Sequence, residues 1–236
     1  MVQEETDMLK RSKLLIDALN DNNIPWVIYK GKYHYPDGFD GIGDADILID
    51  ESKINEAHCI LHETGCIQVV TQTYLCRNGV EDWMGFDDNT GKLIHIHLHT
   101  KIVFGDSFLD QYRFKLDNRC LMCNDVDTEG IHSQNVILES ILIICMYARK
   151  SISMKKLLMY RGVISTNYFD LIEDDMFGFL NNEDKTILYD FYGGPLRHNR
   201  RLIEFADKFC EVDVNNWRIE KARRLLIYKV SRLINS

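Results

Sequence analysis

The spacing of apolar residues changes near the middle of the chain, and this change limits the possible folds more than any other feature. Up to about residue 103, short strand-like segments, several with the two-residue period of half-buried strands, alternate with helical segments at Glu4–Asn20 and Ser52–Leu61. From about residue 131 onward, apolar residues recur at helical spacing. The sequence therefore predicts an α+β domain over residues 1–125, followed by an all-α domain over residues 126–236.

Four segments of the first half predict the strands that matter most for function. Trp26–Tyr29 is a short buried strand, and Asp44–Asp50 alternates like a strand with one polar face. The turn residues of Asp87–Gly91 predict a hairpin that joins a strand over Glu81–Phe86 to one over Lys92–Val103. The first half should therefore contain several strands of one sheet.

Charge is distributed unevenly along the chain. The 236 residues contain 36 Asp and Glu against 28 Lys and Arg, a net charge of -8, which argues against general nucleic-acid binding. Residues 197–236 nevertheless contain 10 basic and 5 acidic residues. Residues 217–234 predict a basic amphipathic helix. This helix either docks on the protein with a solvated basic face, or binds an anionic membrane surface, an acidic partner or an RNA backbone.

Several absences predict a cytoplasmic protein. The seven cysteines show no regular disulfide spacing, and the N-terminus lacks an apolar leader. The longest apolar run, Ile141–Ala148, is shorter than the roughly 20 residues of a transmembrane helix. Cys120 and Cys123 have metal-ligand spacing without a second pair, which favours buried thiols over a zinc site.

The segment from Trp26 to Asp50 contains the strongest functional pattern. A buried strand runs into Lys30-Gly31-Lys32, and Asp44-Ala-Asp46 opens the next strand. Residues two apart on a strand face the same way, so both carboxylates project together and can hold a divalent cation. Glycine allows backbone N–H groups to approach a phosphate closely. The alternative is structural, with Asp44 as a turn residue and Asp46 as a solvated edge position.

This order of motifs resembles the DNA polymerase β-like nucleotidyltransferase superfamily. The resemblance rests on IPWVIYKG, then GDADILID, then INEAHCILHETG, and covers roughly residues 10–103. It implies a nucleotidyltransferase-like fold over residues 1–125, that is, a mixed sheet with flanking helices. It also implies transfer of a nucleotidyl group from an NTP to a small-molecule or sugar-type acceptor. It also implies that Mg²⁺ or Mn²⁺ is held by Asp44, Asp46 and His97, the catalytic set.

The resemblance further implies that Lys30, Gly31 and Lys32 lie against the nucleotide phosphates. Two positions depart from the pattern of the superfamily. Lys32 stands where a small Ser or Gly is usual, and His97 stands where an aspartate is expected, while His99 matches the histidine of the family. These departures keep open a second interpretation, a catalytically decayed binding or assembly module with the same fold.

The strand that carries His97 contains two further histidines at alternate positions. His95, His97 and His99 therefore share one face. Residues i and i+4 lie roughly 13 Å apart on a strand, so at most two of the three can bind one ion. The natural partners are Asp44 and Asp46 across the sheet. A separate zinc site, a His-rich metal-dependent hydrolase, and histidines without any ligand role remain the other interpretations.

Overall fold

The computed structural model of the chain describes residues 8–30, 38–69, 79–106, 110–163, 169–194 and 196–213, together with residues 222, 226, 227, 229 and 230. The chain divides into two compact units, Met1–Ile102 with Asp117–Gln134, and Val103–Leu116 with Asn135–Ser236. It passes between these units three times, after residues 102, 116 and 134. The sequence pattern, by contrast, predicts a single boundary after residue 125.

The first unit contains a mixed sheet and three helices among its described residues. In chain order its elements are α1 (Lys10–Asp21), β1 (Trp26–Ile28), β2 (Asp44–Ile49), a 3₁₀ turn (Glu51–Lys53), α2 (Ile54–Glu63), β3 (Cys66–Val69), β4 (Val80–Asp87), β5 (Lys92–His99), α3 (Asp117–Met122), β8 (Asn124–Val126) and β9 (His132–Gln134). The strand order is β3-β4-β5-β2-β1-β9-β8. Strand β2 is parallel to β5 and antiparallel to β1.

The two faces of this sheet differ in chemistry. One face packs against α1 and α2, and its side chains include Trp26, Ile47, Trp83 and Ile96, each at most 1% exposed. Because side chains alternate along a strand, the residues between these positions point to the opposite face. That opposite face carries the aspartates of β2 and the histidines of β5.

The β4–β5 hairpin has its register fixed by a polar turn. Asp87 Oδ1 accepts hydrogen bonds from the backbone N–H groups of Asn89 and Thr90 at 3.1 and 3.0 Å. Its second oxygen accepts the backbone N–H of Arg11 at the start of α1, at 3.0 Å. The turn therefore pairs Asp87 with Lys92 and, five residues back along β4, Asp82 with His97. The predicted hairpin is confirmed.

The approach to β2 depends on a glycine. A Cβ atom on Gly38 would lie 2.8 Å from the Asp44 carbonyl oxygen and 2.9 Å from the Cα of Ala45. Only a residue without a side chain allows the chain to pass this close to the start of β2. Gly38 thus belongs to the local structure that places Asp44.

The second unit combines helices with a small antiparallel sheet. Its elements are β6 (Val103–Asp106), β7 (Asp110–Phe114), α4 (Val136–Ala148), α5 (Met154–Val163), α6 (Phe169–Ile172), a 3₁₀ turn (Asp175–Phe177), α7 (Asn182–Gly193), α8 (Arg200–Phe209) and β10 (Cys210–Val212). The helix α4 is capped by the Asn135 side chain, and all of its residues are buried, as expected for a helix that is apolar at all but two positions, Glu139 and Ser140. The strands pair in the order β10-β7-β6.

The α+β class is confirmed, but the expected all-α character of residues 126–236 is wrong. This stretch contains β9 and β10, and β9 belongs to the large sheet beside β1. Both strands have only three residues, too few for a two-residue period to be visible in the sequence. Strand β10 also pairs with β7, about a hundred residues earlier, so no local sequence pattern predicts this pairing.

Candidate functional site

The register between β2 and β5 builds the candidate site. Asp44 lies opposite His95, Asp46 opposite His97, and Leu48 opposite His99. Paired residues of neighbouring strands project from the same face, so the aspartates and the histidines meet on the face that is not covered by α1 and α2. Of the three residues that the sequence singled out, the structure thus places His97 near both Asp44 and Asp46, but the two aspartates belong to different sets of converging ligand atoms.

Asp46 is the most enclosed acidic group of the site. Its Oδ2 lies 2.8 Å from Lys30 Nζ, and its Oδ1 lies 3.1 Å from His99 Nε2 and 3.4 Å from His97 Nδ1. Burial alone would raise the pKa of this carboxyl group. The charge of Lys30, with the hydrogen bonds from both histidines, outweighs burial and holds the pKa well below its ordinary value. Asp46 is therefore ionised, and its negative charge is balanced by the ammonium group of Lys30.

Lys30 reaches Asp46 from an uncommon backbone conformation. Its φ is +57°, in the left-handed region that non-glycine residues rarely adopt. The ammonium group also lies 4.8 Å from the ring centre of Tyr29. Backbone strain of this kind is of the order of 1–3 kcal/mol and tends to occur at functional positions.

His99 is the buried end of the histidine row. It is 2% exposed; its Nδ1 lies 2.9 Å from the Tyr29 hydroxyl and its Nε2 lies 3.1 Å from Asp46 Oδ1. Burial lowers the pKa of His99 to about 4, although the charge of Asp46 acts in the opposite direction. At neutral pH this imidazole is uncharged.

His97 lies between two carboxylates. Its Nδ1 is 3.4 Å from Asp46 Oδ1, and its Nε2 is 3.3 Å from Asp82 Oδ1 on β4. The hydrogen bond to Asp46 raises the pKa of His97 above its ordinary value, and the charges of Asp46, Asp44 and Asp82 add to this effect against burial. His97 is thus the central imidazole of the cluster.

His95 is the outer end of the row. Its Nδ1 lies 2.7 Å from Asp44 Oδ1, and its Nε2 lies 3.7 Å from Asp82 Oδ1. The side chain of Asp44 is half-exposed, whereas those of His95 and Asp82 are about three-quarters covered. The cluster therefore opens towards solvent at this end.

Asp82 is the site residue that sequence reasoning missed. The superfamily pattern places a third carboxylate on the strand that became β5, at the position of His97. In the structure, a carboxylate reaches this position from the neighbouring strand β4. The signal was available, because the predicted hairpin turn fixes the register and places Asp82 opposite His97. Counting back from the turn would have found this residue.

Among the described residues, two sets of side chains could each hold one metal ion. They are Asp44 with His95 and His97, and Asp46 with His97 and His99, and within each set the ligand atoms lie within 4.8 Å of one another. Each set uses two neighbouring histidines, as the strand geometry predicts, and His97 belongs to both. The mixture of carboxylate and imidazole fits Mn²⁺ or Zn²⁺ more closely than Mg²⁺, which prefers oxygen.

The structure describes only some of the other residues that the sequence analysis singled out. Lys30 is described, but Gly31 and Lys32 lie outside the described residues, as does most of the basic segment 217–234. Cys120 is buried and its Sγ accepts a hydrogen bond from Gln134, and burial raises the pKa of its thiol well above the ordinary value. It therefore has the properties of a core thiol. Within the described ranges, no helix combines the length and apolar character needed to cross a membrane.

Comparison with known proteins gives no relative. No protein-family model, curated protein or solved structure matches the chain. Functional interpretation therefore rests on the geometry and chemistry of the cluster formed by β2, β4 and β5.

Proposed function

We propose that this protein is a divalent-cation-dependent nucleotidyltransferase, which moves a nucleotidyl group from an NTP to a small-molecule or sugar-type acceptor. The observation that carries the proposal is the parallel register of β2 and β5. Through this register His97 belongs with both Asp44 and Asp46 to sets of side chains that could hold an ion. The order of these residues along the chain is that of the nucleotidyltransferase motifs they resemble.

The proposed reaction forms a bond between an acceptor oxygen and the α-phosphorus of the NTP. The bond from this phosphorus to the bridging oxygen breaks, pyrophosphate leaves, and the acceptor proton passes to a base or to solvent. Asp44, Asp46 and His97 would hold the divalent cation, which when bound supplies positive charge against the triphosphate. The imidazole in this set favours Mn²⁺ over Mg²⁺.

Lys30 has a defined role in the proposal. Its ammonium group neutralises Asp46 at 2.8 Å, in the place where a cation would stand. A cation bound at Asp46 would lie close to the Lys30 ammonium group and be repelled by it, so Lys30 and the cation would compete for the Asp46 carboxylate. The phosphates of the incoming nucleotide offer the ammonium group a new partner. Cation and nucleotide should therefore bind together, and the cation alone should bind weakly at Asp46.

His99 is poorly suited to be the general base. Both of its ring nitrogens are engaged, one by Tyr29 and one by Asp46, and the side chain is buried. A general base must reach the acceptor proton directly or through one water molecule. His99 is better understood as a positioning residue for Asp46.

A second candidate function is a binding module that holds a nucleotide without turnover. The Lys30–Asp46 ion pair and the histidine in place of a carboxylate favour it, because both reduce the negative charge available to two cations. A His-rich metal-dependent hydrolase is the third candidate, favoured by the two imidazoles in each ligand set. Product analysis separates the three, since only the transferase couples pyrophosphate release to modification of an acceptor.

The test is thermal unfolding of the purified chain with each of the four NTPs, with and without Mn²⁺ or Mg²⁺. We expect at least one NTP to raise the Tm, and only when the cation is present. Asp44→Asn should remove this response, because the amide no longer supplies a carboxylate ligand to the cation. Since Asp44 is half-exposed, its replacement should leave the fold intact. The matched control is Asp88→Asn, an exposed aspartate of the β4–β5 turn that pairs with Arg11.

Two outcomes would contradict the proposal. One is the absence of any nucleotide response under all cation conditions. The other is an unchanged response when Asp44 and Asp46 are both replaced by asparagine. A nucleotide response without pyrophosphate release across an acceptor panel would instead select the binding module.

A further inference from the structure

Exposed apolar side chains lie on the face of the large sheet that α1 and α2 leave uncovered. Ile67 on β3, Phe86 on β4 and Leu93 on β5 are 66%, 48% and 56% exposed. Met84 on β4 is partly exposed. Exposed apolar side chains that form one contiguous group often mark a binding surface, whereas single ones need no explanation. We refer to these four residues as the apolar platform.

The strand register shows that the platform is contiguous. Ile67 is paired with Met84, and Phe86 is paired with Leu93. Paired residues of neighbouring antiparallel strands have Cβ atoms about 4.5–5.5 Å apart and project from the same face. Met84 and Phe86 lie two residues apart on β4 and share a face, so the two pairs form adjacent rows.

The platform adjoins the polar cluster. Met84 is paired with His95 as well, and His95 Nδ1 lies 2.7 Å from Asp44 Oδ1. Leu93 precedes His95 by two residues on β5, which is about 7 Å along the strand. The first row of the platform therefore continues into the polar cluster, and the second row lies next to it on the outer side.

The two ends of the polar cluster differ in the space that they offer. His99 at the inner end is 2% exposed, and both of its ring nitrogens are engaged. Lys30, the residue proposed to meet a phosphate, belongs to this inner end through its ion pair with Asp46. The platform lies at the opposite, open end. A nucleotide with its phosphates at the inner end would thus extend its sugar and base towards the platform.

We infer that the apolar platform binds the base of the nucleotide, by stacking on Phe86 and by apolar contact with Leu93 and Met84. Every nucleobase has a π-face, so stacking on an aromatic side chain tolerates any base. The platform side chains offer no strong hydrogen-bond donor or acceptor to the edge of a base. The platform should therefore favour large rings, so that ATP and GTP bind more tightly than CTP and UTP, without selecting one purine.

The nucleotide as the ligand comes from the proposed function, on which this inference rests. The platform itself contains none of the residues that would hold the cation or the phosphates. It can therefore be tested with a nucleoside, which has a base but no phosphate and needs no cation. This makes the failure of the platform distinguishable from the failure of the transferase.

The test is binding of adenosine, and of each NTP with Mn²⁺, to the full chain. Saturation-transfer NMR identifies the adenosine protons that contact the protein, and calorimetry gives the Kd of each NTP. We expect saturation mainly at the base protons. Phe86→Ala should raise the Kd of ATP by about 5- to 150-fold, the effect of losing one stacked base, and Leu93→Ala should raise it less. The matched control is Leu14→Ala, which should not change the Kd, because Leu14 is 50% exposed but lies on α1.

The possible outcomes separate the two proposals. Unchanged ATP binding by both platform variants, or selection of a single base, would overturn the inference and leave the transferase standing. Adenosine binding that is lost in Phe86→Ala, without any NTP response to Mn²⁺, would support the platform and contradict the transferase. A dimeric wild type that becomes monomeric in Phe86→Ala would show that a second copy covers the platform, and would overturn the inference. Absence of both adenosine and NTP binding would overturn both proposals.

Discussion

The two faces of the large sheet are built from the same strands, yet they serve different purposes. On the face that packs against α1 and α2, Trp26, Ile47, Trp83 and Ile96 form a continuous apolar core. The other face carries the aspartates of β2, one aspartate of β4 and the three histidines of β5: Asp44, Asp46, Asp82, His95, His97 and His99. Burying such polar groups costs free energy unless they are paired. The apolar face therefore stabilises the fold, whereas the polar face holds a charged cluster whose burial costs free energy.

The largest effect on stability is expected at Trp83, on the apolar face. This side chain is 1% exposed in the apolar core, so Trp83→Ala should destabilise the protein by about 3–5 kcal/mol. Phe86 on the same strand is 48% exposed, and Phe86→Ala should stay within about 1 kcal/mol of the wild type. Urea unfolding measures both. Similar losses for the two variants would mean that the faces do not differ in their contribution to stability.

The next largest effect on stability is expected at Lys30, which forms the ion pair with Asp46 on the polar face. Lys30→Met leaves the buried Asp46 carboxylate without its ammonium group, and breaking such a pair costs about 3 kcal/mol or more. Adding Asp46→Asn to this variant removes the isolated charge and should restore part of the stability. A double-mutant cycle by urea unfolding measures the coupling. Additive effects of the two substitutions would contradict the ion pair.

The acid sensitivity of the polar face should come from His99. Its pKa in the folded protein is about 4, below the ordinary value of about 6.5, so between these values the unfolded chain binds more protons. Stability should therefore fall as the pH decreases from about 6.5 to 4, by roughly 3 kcal/mol from this group. His97, whose pKa is raised, stabilises most at low pH and loses its contribution as the pH rises through its folded pKa.

Urea unfolding across this pH range, with His99→Gln as the comparison, isolates the contribution of His99. The slope of the wild type between pH 6.5 and 4 should be steeper than that of the variant. Equal slopes would show that His99 is not held neutral by burial.

The smallest effect is expected at the exposed rim of the polar face. Asp44 and His95 form a pair in which the aspartate is half-exposed, and surface pairs contribute about 0–1 kcal/mol. Asp44→Asn should thus change the free energy of unfolding by less than about 1 kcal/mol while changing ligand binding strongly. A large loss of stability without any change in binding would reverse the role assigned to Asp44.

Local patterns in the sequence were enough to predict one part of the structure. The alternation of Asp44–Asp50 and the turn at Asp87–Gly91 predicted strands and a hairpin, because both signals involve neighbouring residues. That Asp46 and His97 lie close together was expected only from the resemblance and because each residue lies on the polar face of its own strand. The parallel register that brings them together is non-local, and it required the structure.

Other features had no local signal. The strand β10 has three residues and pairs with β7 about a hundred positions earlier. The ion pair of Lys30 with Asp46 depends on a left-handed backbone at Lys30, a conformation that sequence reasoning does not assign to lysine. Asp82 differs from these, because the hairpin turn already determined its place opposite His97.

The central claim is that Asp44, Asp46 and His97 hold a divalent cation together with a nucleotide. The most direct measurement is a crystal structure of the chain with Mn²⁺ and a non-hydrolysable NTP analogue, with the anomalous signal of manganese used to locate the ion. We expect manganese within bonding distance of the Asp44 and Asp46 carboxylates and of a His97 ring nitrogen, with Lys30 moved from Asp46 to a phosphate. A nucleotide bound elsewhere, with Lys30 still paired to Asp46 and no manganese between the aspartates, would contradict it.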